Sequence, residues 1–131
     1  MVIDTSAVLA VLLEEAGAPG IARAIEDAPL RLLSAANLLE ASIVIESRKG
    51  EAGARELDLL LYRAGIEVVD VDRNQAEIAR RAWRRVGKGR HAAGLNYGDC
   101  FAYALAKSRD LPLLVPGNDF AQTDVKRVVL P

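Results

Sequence analysis

Apolar residues along this chain come in short blocks separated by polar or glycine-containing breaks, and the length of each block predicts its element. Met1-Val2-Ile3 is apolar from the first residue and stops at Asp4, the pattern of a buried parallel strand. Thr5 and Ser6 are placed to cap a helix over residues 7–13, which Gly17 and Pro19 end, and a second short helix spans about 21–27 before Pro29. Residues 30–33 read as a strand, followed by a helix to about Arg48 with Ser34 or Asn37 as its cap and Gly50 as its end. A loop at 51–53 leads to a helix around 56–62, with Gly65 in the position of a C-terminal cap. The clearest strand is 66–71. Helices at about 74–86 and 97–109 flank a glycine-interrupted loop, and residues 112–115 form a fourth strand, with 127–130 as a possible fifth. Strands that recur with helices between them predict an α/β fold, a mostly parallel sheet of four to five strands covered by helices on both faces.

Composition narrows this picture. The 131 residues, 51% hydrophobic, suit one domain with one real core, spanning 1–131. Seventeen basic and 18 acidic residues nearly cancel, so net charge gives no argument for a polyanionic partner. Cys100 is the only cysteine, which excludes an intrachain disulfide and fits a reducing cytoplasm. No apolar stretch approaches a membrane span, and the N-terminus has none of the regions of a signal peptide.

Ligands of parallel α/β sheets bind beyond the carboxyl ends of the strands, and that rule selects which acids to weigh. Asp4 directly follows the first strand, and Asp119 follows the fourth after Pro116-Gly117-Asn118. Glu40 shares a helix face with Ile43, Val44 and Ser47, which predicts that its carboxylate lies on a buried stripe. Asp99 begins a helix face that continues through Ala102, Tyr103 and Ala106. Four converging carboxylates would repel one another unless a cation joined them, and an all-oxygen donor set without His or Cys favours Mg²⁺ or Mn²⁺ over Zn²⁺. The chemistry implied is water activation and charge stabilisation at a phosphodiester. Taken singly, Asp4 and Asp119 are also ordinary turn residues and Asp99 an ordinary first-turn helix acid.

The segments Val2-Ile3-Asp4-Thr5-Ser6-Ala7, Glu40 with Val44, Leu95-Asn96-Tyr97-Gly98-Asp99-Cys100-Phe101-Ala102-Tyr103-Ala104-Leu105-Ala106, and Gly117-Asn118-Asp119-Phe120 with Thr123-Asp124 occur in this order along nearly the whole chain. Together they resemble the signatures of PIN-domain ribonuclease toxins of the VapC type. The resemblance implies a PIN-like α/β/α sandwich and an endoribonuclease that cleaves phosphodiester bonds with a water activated by Mg²⁺ or Mn²⁺. It also implies a cognate VapB-type antitoxin and a homodimer. It places the four acids on Asp4, Glu40, Asp99 and Asp119. Ser6 and Thr123 fall where a hydroxyl supports a carboxylate or water, Asp124 where an acid adds to the site or supports its loop, and Asn96 at the start of the Asp99 helix. Pro116 departs from the pattern, standing where many relatives carry a basic residue.

Arg80, Arg81, Arg84, Arg85, Lys88, Arg90 and His91 form a local basic run that could hold RNA phosphates; as a solvated helix face, the same run would use Trp83 as its buried anchor. A phosphatase or phosphoacceptor domain would also place an aspartate after its first strand, but Ser6 stands where a dehalogenase-type phosphatase needs its second aspartate. A non-catalytic RNA- or protein-binding module of the same fold has no need of four retained acids.

Overall fold

A computed structural model describes residues 1–87, 94–118 and 120–130. The described chain forms β1 (Val2–Ile3), α1 (Thr5–Leu12), α2 (Ala18–Asp27), β2 (Leu32–Ser34), α3 (Ala35–Arg63), β3 (Glu67–Val69), α4 (Arg73–Val86), α5 (Tyr97–Arg109) and β4 (Leu113–Leu114). All four strands are parallel, in the order β3-β2-β1-β4. Strand side chains alternate between faces, so the short apolar runs supply two cores. Val2, Leu32 and Leu113 face α4 and α5 in one core, with Ala82, Leu105 and Phe120. Ile3, Leu33 and Leu114 face α1, α2 and α3 in the other, with Val8, Ile21 and Ile45. The result is the three-layer α/β arrangement expected from the alternation of blocks.

Successive strands step from β1 outward to β2 and β3, whereas β4 pairs on the opposite side of β1. The order in which strands are added therefore reverses between β1 and β4, and a crevice opens beyond the carboxyl ends of strands at such a reversal. Asp4 sits there, its N–H donating to the Leu114 carbonyl at 3.0 Å.

Several local features differ from the sequence expectations. Asp4 itself caps α1, accepting from the Ser6 N–H, so neither Thr5 nor Ser6 is the cap. Ser34, one of the two expected caps, does cap α3, but β2 spans Leu32–Ser34 rather than 30–33, and the Leu30 carbonyl accepts a hydrogen bond from the Met1 ammonium. Residues 127–130 contribute a single bridge, Arg127 to Leu113, and no fifth strand.

As the sequence predicts, a helix ends at Gly50 and another follows, so α3 is two helices joined by a kink there; the second helix already includes residues 51–53, where a loop is expected. Gly50 has φ 59° and ψ −148°, a backbone state open essentially to glycine alone, and a Cβ there would meet nothing within 4 Å. Gly50→Ala is thus expected to destabilise through the backbone only, by about 1–3 kcal/mol, measured as a lower midpoint of urea unfolding.

Candidate active site

Asp4 is held at the end of β1 by the sheet on one side and α1 on the other, which leaves the residue only 4% exposed. Its Oδ2 accepts from the Ser6 N–H at 3.0 Å and also from the Ser6 hydroxyl. Burial pushes the Asp4 carboxyl up from 3.8 to about 6; the Ser6 bonds oppose that rise, and the charges of Asp99 and Glu40 add to it. Three carboxylates from three elements thus share one electrostatic neighbourhood.

Asp99 reaches it from the first turn of α5. Asn96 caps that helix, accepting from the Asp99 N–H at 2.9 Å, and the Asp99 Oδ2 accepts from the Asn96 N–H at 3.1 Å. This reciprocal capping box fixes where the helix starts and therefore where Asp99 stands. Behind it Ala102, Tyr103 and Ala106 are buried, as the periodicity of that segment predicts.

Glu40 arrives differently from expectation. The buried stripe of α3 is Asn37, Ala41 and Ile45, whereas Ile43 is 57% exposed and Ser47 is exposed as well. Glu40 is one step round the helix from that stripe. It lies against α5, with the Asn37 amide donating to its Oε1 at 3.3 Å and to the Gly98 carbonyl at 3.0 Å. Sequence spacing shows Asn37 and Glu40 three apart on a helix, but gives no sign that both meet Gly98. Asp4, Ser6, Glu40, Asn96 and Asp99 together line a cleft of about 210 Å³, with Leu9 and Val44 as its apolar wall.

The remaining candidates do not gather there. Thr123 donates to the Phe120 carbonyl at 2.7 Å and accepts from the Val125 N–H, closing a local turn. Asp124 accepts from the Tyr103 hydroxyl and pairs with Lys107 at 3.1 Å, and these bonds hold its carboxyl below the ordinary range. Asp124 therefore ties the C-terminal segment to α5. Asp119, Lys88, Arg90 and His91 lie outside the described residues. Arg80, Arg81 and Arg84 are exposed on α4, and Arg85 donates to the Tyr103 hydroxyl at 3.1 Å. Trp83 is no buried anchor: it is 41% exposed, and α4 packs instead through Gln75, Ala79 and Ala82.

Among the described residues, no three His, Cys, Asp or Glu side chains form a ready-made metal-holding group. The donor chemistry nonetheless fits a hard divalent cation, since the cleft offers only oxygen and places a buried carboxyl beside two others.

The PIN-domain family model matches residues 1–126 of the chain. The chain belongs to the PIN-domain family. Within that family, the ribonuclease VapC of Mycolicibacterium smegmatis is 58% identical to this PIN domain over 128 residues, covering 98% of this chain and 99% of the relative. That similarity puts the chain among the VapC ribonucleases. Two solved structures share the fold: Mycobacterium tuberculosis VapC20, a sarcin-ricin loop cleaving toxin, with TM-score 0.81 and 17% identity over 99% of this chain and 98% of that one, and VapBC2 from Rickettsia felis bound to a DNA fragment from their promoter, with TM-score 0.74 and 12% identity over the same shares.

Proposed function

We propose that this PIN domain, a single structural unit, is a metal-dependent endoribonuclease and the toxin of a type II toxin-antitoxin pair. The observation that carries the reading is the meeting of Asp4, Glu40 and Asp99 in one cleft at the β1/β4 reversal, in a chain 58% identical to a ribonuclease VapC over 98% of its length. Asp4, Asp99 and Glu40 would hold Mg²⁺ or Mn²⁺, with Asp119 as the fourth acid. The cation, when bound, supplies water activation and neutralises charge building on the phosphodiester. The protein's own residues do the rest. Ser6 orients the Asp4 carboxylate by two hydrogen bonds, and Asn96 fixes the Asp99 backbone through the capping box. Neither Thr123 nor Asp124 is given a direct part, because their bonds are committed to the C-terminal turn and to α5.

The exposed guanidinium groups of Arg80, Arg81 and Arg84 offer phosphate contacts on the α4 side of the molecule, and Lys88 and Arg90 would extend them. Beside the cleft, Leu39, Ile43 and Tyr97 are large, apolar and more than half exposed, which suits protein contact by a VapB-type antitoxin and by a second copy in a homodimer. No helix among the described residues is long and apolar enough to cross a membrane. The lone cysteine is buried, consistent with work in a reducing cytoplasm.

The test is direct. Purified protein incubated with total RNA should generate new 5′ ends at defined positions with Mg²⁺ or Mn²⁺ and none with excess EDTA, read by sequencing RNA ends. Cleavage that persists in EDTA would overturn the metal mechanism, and the absence of new ends under every metal would overturn the nuclease reading.

A further inference from the structure

Glu40 and Asp99 come from different helices, and their approach depends on what stands between them. Gly98 occupies that place, in the first turn of α5 and buried. A Cβ at residue 98 would lie 2.7 Å from both Cδ and Oε1 of Glu40 and closer still to Oε2. Real carbon atoms do not tolerate such separations. The Glu40 carboxylate therefore fills the space that any other side chain at 98 would take. Helix formation does not explain the glycine, since alanine is favoured over it within a helix.

Asn37 secures the same carboxylate from α3. Its side chain is fully buried, and its Nδ2 donates to Glu40 Oε1 at 3.3 Å and to the Gly98 carbonyl at 3.0 Å. One nitrogen thus joins the carboxylate of α3 to the backbone of α5. The Asn37 Oδ1 is buried with no hydrogen-bond partner among the described residues. An apolar side chain would leave no such acceptor unsatisfied, so packing alone does not call for an amide at this position. Thr5, next to Asp4, donates to the Asn37 carbonyl at 3.4 Å, which links the arrangement to the end of β1.

We infer that Asn37 and Gly98 are positioning residues that hold the Glu40 carboxylate at the edge of the cleft containing Asp4 and Asp99, where it serves as an oxygen donor to the divalent cation. The inference rests on the metal-site reading above. It assigns the two residues no contact with RNA and no proton to move. Their effect passes entirely through Glu40.

That dependence sets the test. The atoms that a methyl at 98 would strike are the mobile end of a glutamate, so Gly98→Ala is expected to fold and to push the carboxylate aside. Asn37→Leu removes the donor while keeping the volume close. Mn²⁺ binding is measured by the electron paramagnetic resonance of the free ion, with RNA cleavage followed in parallel and folding checked by circular dichroism. Gly98→Ala and Asn37→Leu should each weaken Mn²⁺ binding by about tenfold or more, the usual cost of losing a group that orients a ligand. In a Glu40→Ala background, the same two substitutions should change binding by less than about twofold, because the carboxylate they act through is gone. Unaltered binding in the single variants, or equal losses with and without Glu40, would overturn the inference, as would failure of both variants to fold. If the unsubstituted protein binds no Mn²⁺, the metal reading falls and takes this inference with it. If it binds Mn²⁺ and Gly98→Ala binds equally well, only the positioning role falls.

Discussion

Asp99→Asn should lower RNA cleavage by a factor on the order of 10³ or more, beyond the 10–100-fold typical of residues that merely support a metal ligand. The substitution isolates charge from structure. Asp99 Oδ2 accepts the Asn96 N–H, and the amide oxygen of an asparagine can accept the same bond, so the start of α5 should stay in place. What is lost is a negative oxygen facing the cleft shared with Asp4 and Glu40. Initial rates on a defined RNA, measured with saturating Mg²⁺ and with saturating Mn²⁺, should both fall. The unfolding free energy from urea titration should stay within about 1 kcal/mol of the original, since the group is only partly buried and its capping bond survives. Cleavage that continues at the original rate would remove Asp99 from the site.

Asp99 was legible in the sequence for a reason that does not extend to every candidate. Its place depends on contacts within three residues, Asn96 to Asp99, and short-range capping chemistry is written directly in the order of residues. Asp4 was legible because an apolar strand ended abruptly at an acid, although the sequence concealed that Asp4 would also cap α1. The three-layer fold followed from the same block pattern.

Glu40 shows where such reading stops. Helical periodicity names the residues that share a face, but it does not say which of two adjacent faces meets the rest of the protein. The stripe through Ile43 and Ser47 turned out exposed, and the one through Asn37, Ala41 and Ile45 is buried. Glu40 enters the cleft through a contact with Gly98, 58 positions away, for which no local pattern exists. Trp83 misled in a similar way, because small residues, Ala79 and Ala82, let α4 approach α5 more closely than a large anchor would. The family resemblance makes Asp124 either a further acid or a support for its loop, and Tyr103 and Lys107, both on the helix that carries Asp99, claim its carboxylate. Residues 127–130 have the composition of a strand but make one bridge at the sheet edge, beyond the two residues of β4.

In metal-free protein at neutral pH, Asp4→Asn should raise stability even as it removes activity. The folded state holds the Asp4 carboxyl at about 6, mainly through burial, against an ordinary value of 3.8. Above pH 6 the group is ionised in both the folded and the unfolded chain, and the fold bears the whole cost of a buried charge beside Asp99 and Glu40. That gap corresponds to roughly 3 kcal/mol. As pH falls below 6 the folded protein takes up a proton first, so the cost shrinks, and it vanishes below 3.8. An asparagine carries no charge at either pH, and its amide oxygen can still accept the Ser6 N–H. Urea unfolding in EDTA should therefore show the variant more stable than the original by up to about 3 kcal/mol at pH 7.5, with the two converging near pH 4. Adding Mn²⁺ at pH 7.5 should stabilise the original protein by mass action and the variant far less, because one of the ligands has lost its charge. A variant less stable than the original in EDTA at pH 7.5 would mean that the Asp4 carboxylate is held by favourable contacts rather than kept in place against its own desolvation.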